Sequence, residues 1–254
     1  MLTIEVPGER RSLLRRLVRP RIVAVFSFRY DAHLVRDLIA NITPIVDGWI
    51  SWDDRAATEP FTGDPGRRRT LLSAAHAAGA QWVLAVDPDE RFEHAVANRI
   101  RQMVLIPGKV CWTFNLREMY SPVSYRVDGI WGTKLQKRLF PIFHDQFPIT
   151  DKSGFSSAAL HGSWVPPHYR QLDSHLNLYH LKMIEPKRRV ARRDLYNALD
   201  PGRRFQKVGY DYLADESGAV FETLPPGRHY LPPHKEDHGL WMGAAGTLGS
   251  GSGN

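Results

Sequence analysis

The sequence predicts an α/β domain on a mostly parallel, twisted sheet with helices on both faces, followed by a less regular C-terminal region. Three observations carry that expectation. Short apolar runs recur at "RIVAVFSF" (21–28), "PIVDGWISWDD" (44–54), "QWVLAVD" (81–87) and "KVCWTFNL" (109–116). The segments between them place apolar residues at helical spacing. The alternation then stops near residue 120, where aromatics, histidines and prolines take over. Strand and helix in strict alternation are the pattern of right-handed β-α-β units.

Each element has its own reason. "RIVAVFSF" is continuously apolar and rich in Val, Ile and Phe, which suits a strand covered on both faces. In "DAHLVRDLIANI" (31–42), Leu34, Val35, Leu38, Ile39 and Ile42 recur on one helical face, with Asp31 placed to cap it. The second strand closes in Asp53 and Asp54. Asp64-Pro65 reads as cap and first helical position. "GRRRTLLSAAHAAG" (66–79) continues that helix to Gly79, a natural stop. After the third strand, "EHAVANRIRQMVLI" (93–106) reads as a helix ended by Pro107-Gly108. Further on, "PKRRVARRDLYNAL" (186–199) predicts a helix, and "YDYLADESGAVFETLPPGRHYL" (210–231) a hairpin around Glu216-Ser217-Gly218. The expected organisation is a basic leader (1–20), a first α/β half (21–119), a second half of the same domain (120–200), a C-terminal extension (201–242) and a low-complexity, disordered tail (243–254).

With 254 residues, 43% of them hydrophobic, the chain can bury a large core without disulfides or structural metals. Its single cysteine, Cys111, cannot form an internal bridge, which favours a reducing cytoplasm. No apolar run approaches the roughly 20 residues of a membrane-spanning helix. "IVAVFSF" is too short, and too far behind a run of arginines, to be a signal peptide. The net charge of +7 serves either solubility or attraction to phosphates. "RRSLLRRLVRPR" (10–21) is either a basic amphipathic segment touching the inner face of a membrane or an ordinary solvated leader.

The chemistry-bearing residues gather at strand ends. In open α/β sheets, ligands bind beyond the carboxyl ends of the strands. Asp53 and Asp54 end the second strand, and Asp87-Pro88-Asp89-Glu90 ends the third. Carboxylate oxygens are hard ligands for Mg²⁺ or Mn²⁺, ions that also bridge substrate phosphates. Seventeen aspartates make about one Asp-x-Asp an expectation of chance, so position distinguishes this one: it follows a clean buried strand.

In that position the sequence resembles the nucleotide-sugar-binding half of family 2 glycosyltransferases. That family commonly has a helix ending in Ala-x-x-x-Gly-Ala, then a tryptophan and an apolar strand closing in Asp-x-Asp-Glu. "AHAAGAQWVLAVDPDE" (75–90) follows this order. "KLQKRLFPIF" (134–143), "AALHGSW" (158–164) and "LNLYHLKMIEPKRRVARRDLYNALDP" (176–201) resemble, in order, segments of members that modify cell-surface polysaccharides. The resemblance spans roughly residues 20 to 200. It implies a GT-A-like (Rossmann-like) fold with an irregular acceptor-side region. It also implies a nucleotide-sugar donor, a glycan or lipid-linked acceptor, and a divalent Mn²⁺ or Mg²⁺ ion. Asp89 would ligate the metal, Asp87 the metal or the ribose, and Asp53 or Asp54 the base or ribose. These stand near "SFRYD" (27–31), which places Ser27 and Arg29 on the donor side. Two departures stand out: Arg29-Tyr30-Asp31 replaces the frequent Asn-Glu after the first strand, and Gly162 replaces the glutamate that often follows the second-half histidine.

Displacement at a sugar carbon needs a base for the acceptor hydroxyl. Asp145, Asp151, Asp173 and His161 are the candidates. His161 and His180 each suit a metal ligand, a diphosphate contact or a base. Arg138 and the run Lys182, Lys187, Arg188, Arg189, Arg192 and Arg193 could supply a diphosphate contact, although most of such a run is expected on a solvated helix face. Two other readings compete. A nucleotidyltransferase usually carries a glycine-rich basic signature after the first strand, where "SFRYDAHLVRD" has no glycine. A nucleic-acid-binding module would show a continuous basic stripe with interleaved aromatics, whereas here the basic residues are scattered, so nucleic acid is not the expected partner.

Overall fold

The computed structural model describes residues 1–8, 12–57, 64–143, 165, 168–204 and 206–235. In chain order these form β1 (Leu2–Glu5), α1 (Leu13–Val18), β2 (Ile22–Phe28), α2 (Val35–Ile42), β3 (Gly48–Asp53), α3 (Asp64–Ala77), β4 (Trp82–Ala85), β5 (Glu90–Phe92) and α4 (Val96–Met103). There follow β6 (Val110–Ser121), β7 (Ser124–Arg126), β8 (Leu135–Pro141), β9 (Arg170–His180), α5 (Pro186–Leu199) and β10 (Phe221–Thr223). The strands make one ten-stranded sheet in the order β1-β3-β2-β4-β8-β6-β7-β10, with β9 pairing β6 and β5 off that path.

The β-α-β expectation holds where the alternation is cleanest: β3, β2 and β4 run parallel. Beyond β4 the sheet is mixed, because β8 enters antiparallel between β4 and β6. Helices cover both faces, and the period of two along β2 explains how. Ile22, Ala24 and Phe26 pack with Leu38 and Ile42 of α2 and with Val96 and Ile100 of α4. Val23 and Val25 point the other way, onto Leu71, Leu72 and Ala75 of α3. All five of these β2 residues are fully buried. Each large aliphatic side chain so placed contributes about 1.5–3 kcal/mol relative to exposure.

Gly79 ends the α3 segment with φ of 75°, as its place in the sequence predicts. The α5 helix spans the residues expected for it, with Pro186 in its first turn. Four expectations change. Asp31 does not cap α2; its Oδ1 accepts from the Arg29 N–H at 3.1 Å, and a short 3₁₀ turn, Ala32–Leu34, precedes the helix. The helix expected from residue 93 begins at Val96, because Glu93 bridges Tyr230 and the Glu93 and His94 N–H groups donate to the Asn177 and His229 carbonyls instead. No hairpin forms within 210–231: β10 pairs with β7, Phe221 opposite Arg126. The Glu216-Ser217-Gly218 region is a turn held by Asp215 Oδ1, which accepts from Ser217 N and Oγ. Finally, the first residues of the expected leader form β1, an edge strand antiparallel to β3. Gly48 permits that approach, since a Cβ there would lie 2.5 Å from the Glu5 carbonyl oxygen. The tail beyond residue 235 lies outside the described residues.

Candidate active site

The parallel order of β3, β2 and β4 brings Asp53 and the Asp87–Glu90 turn to one rim, at the carboxyl ends of the strands. The turn is braced from within. Asp87 N–H donates to Glu90 Oε2 and Glu90 N–H to the Asp87 carbonyl, both at 3.0 Å. Arg91, 1% exposed, donates to the Pro88 carbonyl at 2.7 Å and to the Leu34 carbonyl at 3.1 Å. Arg138 reaches from β8 to Asp87 Oδ2 at 2.8 Å and also to Glu90 Oε1. Burial disfavours its charge, but Glu90 and Asp87 outweigh that and raise its pKa above the ordinary guanidinium value. Glu90 is thus buried support for the turn rather than the start of a helix.

Strand register delivers the second half of the site. At its start, β9 pairs with β6 as Val110 with Arg170; after an irregularity near Asn115 the partners are Glu118 and His180. Without that shift Glu118 would stand beside Leu178. On its other side His180 pairs with Glu90 of β5, and Leu181 N–H donates to the Asp89 carbonyl at 2.7 Å. His180 therefore lies between two carboxylates, with Nε2 3.2 Å from Asp89 Oδ2 and Nδ1 3.1 Å from Glu118 Oε2. Burial and Lys182 oppose its protonation, yet Asp89 and Glu118 prevail and push its pKa up to about 9. Asp89 is buried, which favours its neutral form. His180, Arg192 and Lys182 outweigh that and hold it well below the usual carboxylate range.

Cations surround this core. Lys182 Nζ and Lys134 Nζ lie 3.4 and 3.7 Å from Glu118 Oε1. Arg192 reaches from α5 to within 4.0 Å of Asp89 Oδ2. Arg188, one turn earlier on α5, is fully buried, and its guanidinium lies 3.1 Å from His33 Nε2. The wall thus offers fixed positive charge beside a carboxylate–imidazole pair.

The structure brings together Asp87, Asp89 and His180 from the expected set. Asp53 is paired with Arg55 at 2.7 Å and Asp54 with Arg67, both at the end of β3 beside Phe28. Ser27 lies opposite Trp52 on the same rim. Arg29 stacks 4.7 Å over the Tyr30 ring and donates to the Ala57 carbonyl. Asp173 is not at the site: it pairs with Thr113, seven residues before His180 along β9, and bonds the His175 N–H. Asp145, Asp151 and His161 lie outside the described residues. The α5 basic run is also unlike its expectation, for Arg188 and Arg189 are buried and Arg192 is 13% exposed. Their spacing was the available signal, since residues 188 and 192 share a helix face. Glu118 had no such signal; only the register of two distant strands places it.

No family model and no curated protein matches the chain. Among solved structures it is similar to a glycosyltransferase involved in the glycosylation of the major capsid of PBCV-1. The identity is 12% and the TM-score 0.38, over 64% of this chain and 93% of that one. A likeness that loose carries no argument about activity, which rests on the site itself. Among the described residues no helix is long and apolar enough to cross a membrane.

Proposed function

We propose that the chain is a metal-dependent, inverting glycosyltransferase. It would move a sugar from a nucleoside-diphosphate donor to a hydroxyl of a glycan or lipid-linked acceptor. The observation that carries this reading is the Asp89–His180 pair, 3.2 Å apart on the ligand-binding rim, with buried Glu118 behind the imidazole and Arg192 beside the carboxylate.

Among the described residues no three His, Cys, Asp or Glu side chains form a metal-holding cluster. Mg²⁺ or Mn²⁺ commonly takes one or two protein ligands and completes its shell with water and substrate phosphates. Asp89 Oδ2 and His180 Nε2 are the donors we assign, and Asp87, half-exposed two residues away, is the third group able to approach. A divalent ion there would neutralise charge on the departing diphosphate. Everything else falls to the chain. His180 would have to give up its Nε2 proton to serve as a ligand, with the Glu118 carboxylate 3.1 Å from Nδ1 on the other side of the ring. Arg192, partly exposed on α5 beside Asp89, is the guanidinium we assign to the diphosphate, with buried Arg188 behind it. Ser27, Arg29, Asp53 and Asp54 border the donor's nucleoside on the β2–β3 rim. The base for the acceptor hydroxyl is proposed from Asp151 and His161. The reducing cytoplasm fits the buried thiol of Cys111, and nucleic acid is not among the proposed partners.

The test is a thermal-shift screen of nucleoside diphosphates and their sugars, with and without Mn²⁺, followed by donor hydrolysis by Asp89→Asn. Metal-dependent stabilisation by one diphosphate is expected, because a ligand specific to the native state raises its melting point. The substitution should lower kcat/KM by about two to three orders of magnitude, the scale for losing a charge-stabilising group. No stabilisation by any diphosphate, or full activity of Asp89→Asn, would overturn the reading.

A further inference from the structure

The α1 helix presents an apolar stripe to water. Leu14, Leu17 and Val18 stand at i, i+3 and i+4 and are 73%, 67% and 67% exposed. A helix that packs on its own protein turns that stripe inward. In the sequence these residues are interleaved with arginines: residues 10–21 hold six and no acidic residue. We propose that α1 is an interfacial helix that seats this chain on an anionic lipid surface.

The occupant follows from combining the two features. Apolar side chains at helical spacing among arginines match the boundary where hydrocarbon meets phosphate headgroups. Nucleic acid would satisfy the arginines and leave the leucines in water. A second copy of the chain, meeting through the same surface, would set arginine against arginine. The location is also suitable. The Pro20 carbonyl, two residues beyond α1, accepts from Arg101 of α4 at 3.3 Å and ties the segment to the amino end of β2. Leu105 and Ile106, just beyond α4, add further exposed apolar surface, at 52% and 37%. The Asp87–Asp89 rim lies at the carboxyl ends of the strands, so docking through α1 leaves it uncovered. This inference does not depend on the activity proposed above.

The experiment is co-sedimentation of the full chain with vesicles of phosphatidylcholine alone or mixed with phosphatidylglycerol. Two variants are compared with the parent, Leu14→Glu/Leu17→Glu and Arg15→Gln/Arg16→Gln. Both alter a surface segment, and an unchanged melting temperature establishes that they fold. The parent should pellet with the anionic vesicles only, and each variant should lose at least about tenfold in binding, since both the apolar and the electrostatic contributions are needed. Absence of parental binding, or binding by Leu14→Glu/Leu17→Glu equal to the parent's, would overturn the proposal. So would light scattering that shows a parental dimer converted to monomer by the leucine substitutions.

Discussion

His180 Nδ1 lies 3.1 Å from Glu118 Oε2, and that carboxylate is 1% exposed. The pair exists because β9 shifts by two residues against β6 between Thr113 and Asn115. A histidine that ligates a metal through one nitrogen typically donates the other N–H to such a carboxylate, and losing that partner costs about 10–100-fold in metal affinity. Glu118→Gln should therefore weaken Mn²⁺ binding by about that factor in a calorimetric titration without donor. Equal affinity in both proteins would reduce Glu118 to a counter-charge for Lys134 and Lys182.

Arg138 joins the exposed and buried ends of the carboxylate turn, bonding Asp87 and Glu90 while itself 7% exposed. Removing one member of a buried ion cluster leaves the other uncompensated, at about 3–5 kcal/mol. Arg138→Met should lower stability in chemical denaturation by that amount, and the melting midpoint by roughly 10 °C for a chain of this size. Replacing Glu90 with Gln as well should recover much of the loss, because taking both charges away is often close to neutral. Purely additive losses in the double variant would show that the two side chains are not coupled.

What the sequence made legible follows from locality. The β2–α2–β3–α3–β4 series was readable because periodicity and end signals such as Gly79 lie within the segments they describe. Asp87 and Asp89 were readable for the same reason, as a polar end to the apolar run Trp82–Val86. Glu118 and Lys134 were not, since Glu118 meets His180 only through the pairing of β6 with β9 and Lys134 reaches it only through that of β6 with β8; Lys182, expected as a diphosphate contact, instead lies 3.4 Å from Glu118. Arg91 carried no signal of its own, and Arg138, expected as a candidate diphosphate contact, instead spends its guanidinium on Asp87 and Glu90 to brace the turn. The misplaced hairpin has a similar origin: the strand at Phe221–Thr223 was real, but its partner lies 95 residues earlier, at Phe221 opposite Arg126.

Cys111 lies in β6, fully buried against the face that carries Phe140 and Leu71. Burial pushes its thiol up to about 12, against the pull of Lys137 and Arg138. The thiolate is the reactive form, so at mildly alkaline pH the native protein should resist iodoacetamide. Mass spectrometry should show one alkylation only after denaturation. Rapid labelling of the folded chain would mean that β6 opens.

Arg126 grips Asp128 with two hydrogen bonds, of 2.7 and 2.9 Å, and Asp128 Oδ1 also accepts the Val220 N–H at 2.9 Å. The pair thus helps to tie the segment entering β10 to β7. Arg126, in the main, holds the Asp128 carboxyl down at about 2, from an ordinary 3.8. Because the folded value lies below the unfolded one, this contribution is complete above about pH 4 and is lost as pH falls towards about 2. Asp128 is only partly buried, so the effect is modest and weakens with salt. Melting curves of the parent and Asp128→Asn should differ near neutral pH and converge between pH 4 and 2, with a smaller gap at high ionic strength. A gap that widens on acidification would require Asp128 to be protonated in the folded chain, which its two bonds to Arg126 oppose.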